Sequence, residues 1–272
     1  MTQQADYEAI LYDVSDRIAT ITLNRPERMN SFSDALLHEW EDAIRRAAED
    51  EGVRAVIITG AGRAFCAGAD LRASAEEDTV LMQGRNAGER RNSLRYSVHR
   101  VPQALQYLDK PYIAAINGAA VGAGMDMASM ADIRISSDLA RFGMSYVNVG
   151  LVPGDGGAWL LPRLVGLQRA LDLMWRGEIF DALTALEMGY LLKVVPHDSL
   201  MEETRAYVQQ LVGGPPVAIQ LMKRLTYRSL DLSFLEALEA AQAAMTIVQS
   251  TEDSLEGPAA FREKRKPDFQ GR

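Results

Sequence analysis

Apolar residues recur along this chain with more than one period. In "AILYDVSDRIATITLNRP" two β runs flank a turn at Ser15–Asp16. In the second run Ile18, Thr20 and Thr22 alternate with Ala19, Ile21 and Leu23 until Pro26 ends it. "DALLHEWEDAIRRAAED" then switches to a helical repeat. Leu36, Trp40, Ala43, Ile44 and Ala47 supply its apolar face, and Ser33 stands in the N-cap position. "VRAVIITG" (53–60) and "KPYIAAING" are short continuous apolar runs, the pattern of strands covered on both faces, and "DIRISSDLARFG" reads as a third such strand. Residues 72–95 are charged and hold Gly84 and Gly88, which predicts a mobile or partly helical surface segment. "YSVHRVPQALQYLD" resumes as a helix interrupted near Pro102.

Strands alternating with helices in this way predict an α/β fold built from βαβ units with right-handed crossovers. From about residue 167 the pattern is mostly helical, punctuated by Gly177, Gly189, "VVPHD" and "GGPP". The helix "FLEALEAAQAAMTIV" carries apolar residues on more than one face, so one face is available to a neighbouring copy.

The 272 residues fit one large α/β domain, or a core with a small helical appendage. A net charge of −8 argues against nucleic acid as a partner. Cys66 is the only cysteine, which excludes an intrachain disulfide. "MTQQADYEAI" lacks the cationic start and apolar run of a signal peptide, and no apolar stretch approaches ~20 residues. The expectation is a cytoplasmic protein without a membrane segment. "GAGRAF" and "GAGMDM" are not followed by the further glycine of a dinucleotide fingerprint, and there is neither a phosphate loop nor a G-x-S-x-G elbow. His38, His99 and His197 lie far apart without metal-ligand spacing, so no metal is expected.

A matched pair of turns remains. "FCAGADL" (65–71) follows the strand "VRAVIITG", and "NGAAVGAGMD" (117–126) follows "KPYIAAI". Each delivers small residues beyond the carboxyl end of a buried strand, where open α/β sheets bind ligands. Two backbone N–H groups, one from each turn, could hold a single carbonyl oxygen as it becomes an oxyanion. The same residues also suit tight turns that only allow close helix–strand packing.

"AVIITGAGRAFCAGADL", "KPYIAAINGAAVGAGMDMA", "ARFGMSYVNVGLVPGDGGAWLLPRLVG" and "EGPAAFREKRKPDF" resemble, in this order and spacing, the crotonase superfamily, the enoyl-CoA hydratase/isomerase family. The resemblance covers essentially the whole chain. It implies a ββα-spiral core over residues 1–195 and a helical C-terminal trimerisation region over 196–272. It further implies homotrimers or homohexamers and an acyl-coenzyme A substrate, with no separate cofactor because coenzyme A arrives with that substrate. Carried over by position, the oxyanion hole is formed by the N–H groups of Ala69 and Ala123. Ala67, Asp70, Leu71 and Arg72 flank the coenzyme A channel. Arg28 sits where a basic residue meets the nucleotide phosphates, and Lys264 is positioned to reach a phosphate or the adenine pocket of a neighbouring subunit.

Family hydratases use two glutamates. The first position falls on Asp126, three residues beyond Ala123 and so on the same helix face. An apolar site would raise its pKa and the helix N-terminus would lower it, and sequence leaves the balance open. The second position falls on Tyr146, a poor base at neutral pH, expected to shape the acyl pocket. Asp155, in "VPGDGG", is the acid available to take the second role, or a turn-forming Asp bonded within its own loop. Asp126 is also one methylene shorter than Glu. These departures leave hydration and one-base isomerisation both open. His99 lies 12 residues before Pro111, as in the 4-chlorobenzoyl-CoA dehalogenase branch, but the nucleophile position of that branch falls on Gly154. His99 is therefore read as a helix-face or lid residue. The alternatives to a hydratase/isomerase are an acyl-CoA hydrolase or dehalogenase using Asp155 as nucleophile, and a non-catalytic acyl-CoA-binding protein.

Overall fold

The first two strands are joined by Asp16 and Arg17, whose φ angles of 53° and 64° are both positive, as a two-residue type I′ hairpin requires. The first strand thus runs through Ser15, and the turn lies one residue later than the side-chain pattern suggests. The computed structural model describes residues 7–70 and 86–272. The expectation for residues 72–95 therefore lies, up to residue 85, outside the described residues.

The strands of the described residues are β1 (Ile10–Ser15), β2 (Ile18–Leu23), β3 (Ala55–Gly60), β4 (Ala64–Cys66), β5 (Tyr112–Ile116), β6 (Ala119–Val121), β7 (Ile133–Ser137), β8 (Arg141–Gly143), β9 (Phe180–Asp181) and β10 (Lys193–Val195). The helices are α1 (Asp34–Glu49), α2 (Ala87–Tyr96), α3 (Arg100–Leu105), α4 (Ala123–Ser129), α5 (Gly157–Val165), α6 (Leu167–Arg176), α7 (Ala182–Glu187), α8 (Leu200–Val212), α9 (Pro216–Ser229), α10 (Phe234–Gln249) and α11 (Asp253–Glu263).

A larger sheet has the order β1-β2-β3-β5-β7-β10 and a smaller one the order β4-β6-β8-β9. Apart from the β1–β2 hairpin, the larger sheet is parallel. The chain leaves β3 for β4, β5 for β6 and β7 for β8, stepping from the larger sheet to the smaller each time before a helix returns it. This is a spiral of strand–strand–helix units. It also corrects the reading of "DIRISSDLARFG" as one strand. The chain turns at 138–140 and changes sheet there, with Ala140 N–H bonded back to Ser137 O.

One face of the larger sheet packs Ala19, Ile21, Val56, Ile58 and Ala114 against Trp40, Ala43 and Ile44 of α1. The other packs Ile18, Ala55, Ile57, Ile113 and Ile135 against Leu200, Val208 and Val212 of α8. Burial on both faces is why these strands read as unbroken apolar runs. Ser33 caps α1 as expected, its side chain accepting from Leu36 N–H.

The helix expected to break at Pro102 instead breaks at 97–99, between α2 and α3. Pro102 sits in the first turn of α3, where a missing N–H costs little because no helical acceptor precedes it. Beyond residue 167 the chain also contributes β9 and β10, two and three residues long. Runs this short carry no readable period. Lys223 of α9 ties the C-terminal helices to the core through Asp132 at 2.8 Å, and Tyr227 donates to the same carboxylate at 2.8 Å. Among the described residues no helix is long and apolar enough to cross a membrane.

Candidate active site

The first turn of the site follows β4. Ala67 N–H donates to Met29 O and Phe32 N–H to Gly68 O, which pins the turn to the segment before α1. Asn30, buried and itself at φ 55°, donates its amide to the carbonyls of Ala61, Ala64 and Phe65 at 3.0, 2.8 and 3.2 Å. Asn117 reaches the same region, donating to Gly62 O at 2.9 Å and accepting from Gly60 N–H at 3.2 Å. Both asparagines replace missing strand partners for backbone that must stay irregular. Sequence reasoning missed both, since nothing in their local pattern marks a distant carbonyl as a partner.

The second turn follows β6 and opens α4. The two turns touch backbone to backbone. A Cβ on Gly124 would lie 1.9 Å from Cys66 O, and one on Gly68 would lie 2.9 Å from Ala123 N. Gly68 also has φ of +77°, a conformation an L side chain resists. Ala123 is the first residue of α4, so its N–H has no helical acceptor. Among the described residues, neither Ala69 N–H nor Ala123 N–H bonds to a protein acceptor.

Asp126 lies on the first turn of α4 and is fully buried. Tyr146 stands on the short 3-10 turn Ser145–Val149 after β8, and Asp155 in the loop before α5. The Tyr146 hydroxyl lies 2.6 Å from Asp126 Oδ2 and 3.1 Å from Asp155 Oδ2. The remaining oxygen of each acid, Oδ1, is buried and has no partner among the described residues. Three residues singled out from sequence thus meet in one cluster, and Tyr146 enters it through its hydroxyl as well as its ring.

Burial pushes Asp126 up to about 7. The Tyr146 hydrogen bond opposes the rise, the Asp155 charge adds to it, and the nearby backbone N–H groups pull down less. Burial therefore outweighs the hydrogen bonds that favour the ionised form. Asp155 is raised by burial too, opposed by Tyr146 and by the charge of His99. The phenol of Tyr146 is driven well above its ordinary range, by burial first and then by the two acids. It stays protonated and is a donor.

His99 lies at the break between α2 and α3. Its Nε2 is 2.8 Å from Gly154 O. A carbonyl oxygen only accepts, so Nε2 carries the hydrogen. His99 thus holds the residue next to Asp155. A cavity of about 790 Å³ opens beside Asp155 and Gly156. It runs between Met130, Leu160 and the C-terminal helices, reaching Leu225 and Ala244.

The residues expected along a coenzyme A channel are distributed less tightly. Arg28 Nη1 is 3.6 Å from Asp70 Oδ2, immediately after Ala69. Ala67 lies in the first turn. Lys264 stands exposed at the end of α11 and makes no hydrogen bond or ion pair with either turn among the described residues. Leu71 and Arg72 lie outside the described residues.

A strand–strand–helix spiral with two apposed backbone turns beneath a buried acid is the layout of the crotonase superfamily. The family model for enoyl-CoA hydratase/isomerase matches residues 13–272. The chain is 36% identical to the short-chain-enoyl-CoA hydratase of Clostridium acetobutylicum, over 94% of this chain and 95% of that protein. It is 34% identical to the 1,2-epoxyphenylacetyl-CoA isomerase of Escherichia coli, over 97% and 99%. The crystal structure of an enoyl-CoA hydratase from Bacillus anthracis superposes with a TM-score of 0.90 at 33% identity, covering 97% of this chain and all of that one. The chain belongs to the enoyl-CoA hydratase/isomerase family and is an enzyme of that hydratase and isomerase class.

Proposed function

We propose that the protein transfers a proton at the carbon next to the thioester of an enoyl-coenzyme A, through an enolate whose oxygen is held by the N–H groups of Ala69 and Ala123. Asp126 is the principal acid/base and Asp155 its partner. The observation that carries this reading is two amides with no acceptor among the described residues, on apposed turns, with two buried acids joined through Tyr146 beside them. Two N–H donors aimed at one oxygen stabilise the charge that develops there, each contributing roughly 3 kcal/mol. The acids then supply the proton transfers of hydration or of a 1,3 proton shift. Burial favours the neutral form of Asp155, which suits an acid better than a nucleophile. That supports proton transfer over covalent hydrolysis.

Coenzyme A arrives as part of the substrate, and no separate cofactor is invoked. Arg28, Asp70 and Ala67 line its approach, while Lys264 serves a nucleotide phosphate or adenine pocket across a subunit boundary. The acyl group extends beside Asp155 into the cavity bounded by Met130 and Leu160. Residues 196–272 act as the oligomerisation region of a homotrimer or homohexamer. In support, Phe234, Leu235, Leu255 and Phe261 are 76, 72, 75 and 86% exposed in the isolated chain. A single-chain mass in light scattering at micromolar concentration would contradict this assembly.

The function is tested with crotonyl-CoA and a panel of longer and branched enoyl-CoA thioesters, followed by absorbance and mass spectrometry. Hydrated or double-bond-shifted product is expected. Calorimetry with acetoacetyl-CoA is expected to give saturable binding. Its absence up to millimolar ligand would overturn the reading.

A further inference from the structure

The hydroxyl of Tyr146 has one hydrogen and two carboxyl neighbours, Asp126 Oδ2 at 2.6 Å and Asp155 Oδ2 at 3.1 Å. A phenol donates to one of them. Its contact with the other is favourable only if that carboxyl carries a hydrogen of its own and donates it to the phenol oxygen. Two neighbouring carboxylates shielded from water do not readily both ionise, which supplies that hydrogen. The cluster is then a directed chain. Asp155 donates to Tyr146 and Tyr146 to Asp126, or the reverse, with one carboxyl proton shared by the two acids. Oδ1 of each acid is buried and lies outside this directed chain. The nearby His99 commits its Nε2–H to Gly154 O and does not enter the chain.

We propose that Tyr146 is a proton relay, passing the shared proton between Asp126 and Asp155 and so resetting the pair after each turnover. The proposal rests on the acid and base roles given to the two aspartates above. Each hydration or proton shift leaves one acid with a proton it has accepted and the other without the proton it has given. The newly protonated Oδ2–H gives its hydrogen to the phenol oxygen while the phenol O–H gives its own to Oδ2 of the other acid. Two O–H bonds break, two form, and one proton moves in net. Tyr146 is a neutral phenol before and after. Asp126 is fully buried and Asp155 is 5% exposed, so exchange through bulk water is obstructed while the relay path is direct.

The resting protein tests the first half of this without any substrate. Infrared difference spectra are taken near neutral pH on the wild type, Asp126→Asn, Asp155→Asn and Tyr146→Phe. One protonated-carboxyl band is expected in the wild type. It should weaken and move in either Asn variant, because the remaining acid, though still raised by burial, no longer shares its proton through the phenol, and it should shift in Tyr146→Phe. No such band in the wild type, or a band that survives Asp155→Asn unmoved, would overturn the shared proton. Stopped-flow turnover of crotonyl-CoA tests the second half. Tyr146→Phe should slow the first turnover much less than later ones, with a burst of one equivalent and a steady rate lower by on the order of tenfold or more. Equal slowing of both phases would overturn the relay. If the wild type leaves crotonyl-CoA untouched, the proposed reaction fails on that substrate, and the infrared spectra decide the relay by themselves.

Discussion

A Cβ atom on Gly157 would stand 1.9 Å from Oδ1 of Asp126. The first residue of α5 thus leaves room for the acid on α4, whose Oδ1 is buried against it.

Gly157→Ala should therefore displace either the acid or the start of α5. The expected result is a drop in kcat of about 10²-fold, the scale on which ångström misplacement acts. Overpacking adds about 1–3 kcal/mol of destabilisation. Steady-state kinetics and urea unfolding together check this, and wild-type values in both would show that Asp126 has room to spare.

Asp126→Asn keeps the shape of the side chain and removes its ability to take a proton. Turnover should fall by roughly 10²- to 10⁴-fold, while calorimetric binding of acetoacetyl-CoA persists. Near wild-type turnover would make Asp126 a structural residue.

The raised pKa of Asp126 has a definite consequence for stability. An aspartate is ionised above about 4 in the unfolded chain, whereas burial holds Asp126 protonated up to about 7 in the folded one. Between these values the native state binds more protons, so stability falls as pH rises through that window and levels off above it. The site thus contributes a penalty on the order of a few kcal/mol at pH 8 that is absent at pH 4. Urea unfolding of Asp126→Asn should be flatter across this range than that of the wild type. If Asp126 is the base, activity should also rise as pH passes about 7.

Asn30→Ala strips a hydrogen-bond donor from three carbonyls beneath the first turn. Buried acceptors left unpaired cost about 1–3 kcal/mol each at most, and water entry recovers part of that. We expect a loss of roughly 2–4 kcal/mol in urea unfolding, with weaker acyl-CoA binding because the Ala69 amide loses its support.

His99→Ala removes the hydrogen bond to Gly154 O and loosens the segment carrying Asp155. Its effect should fall on kcat rather than KM, on the order of tenfold, consistent with a group that aims another. His99→Gln retains an N–H donor and should recover part of the loss. Equal defects in both variants would point instead to the imidazole charge felt by Asp155.

The runs "AVIITG" and "YIAAI" were readable as buried strands because α1 and α8 cover opposite faces of the same sheet. Ser33 was readable because a cap is a local event. The two turns and Asp126 could be located since they follow directly from strands with a strong signal. Tyr146 was located but only partly understood. Its partners stand 20 residues before it and 9 after, and no local pattern carries that meeting. The sheet change within "DIRISSDLARFG", the three-residue β10, Asn30, Asn117 and the contact of His99 with Gly154 share this character. Each depends on a long-range approach that periodicity does not encode.

The contact between Gly124 and the Cys66 carbonyl presses the two turns together main chain to main chain. Side chains can then be exchanged around a fixed pair of amides, as in tooling where the jig stays and the bits are changed. A phenol stands here where the resemblance to family hydratases leads one to expect a glutamate, and the turns remain pressed together. This division of labour gives the scaffold a route to new chemistry by altering its proton inventory one residue at a time.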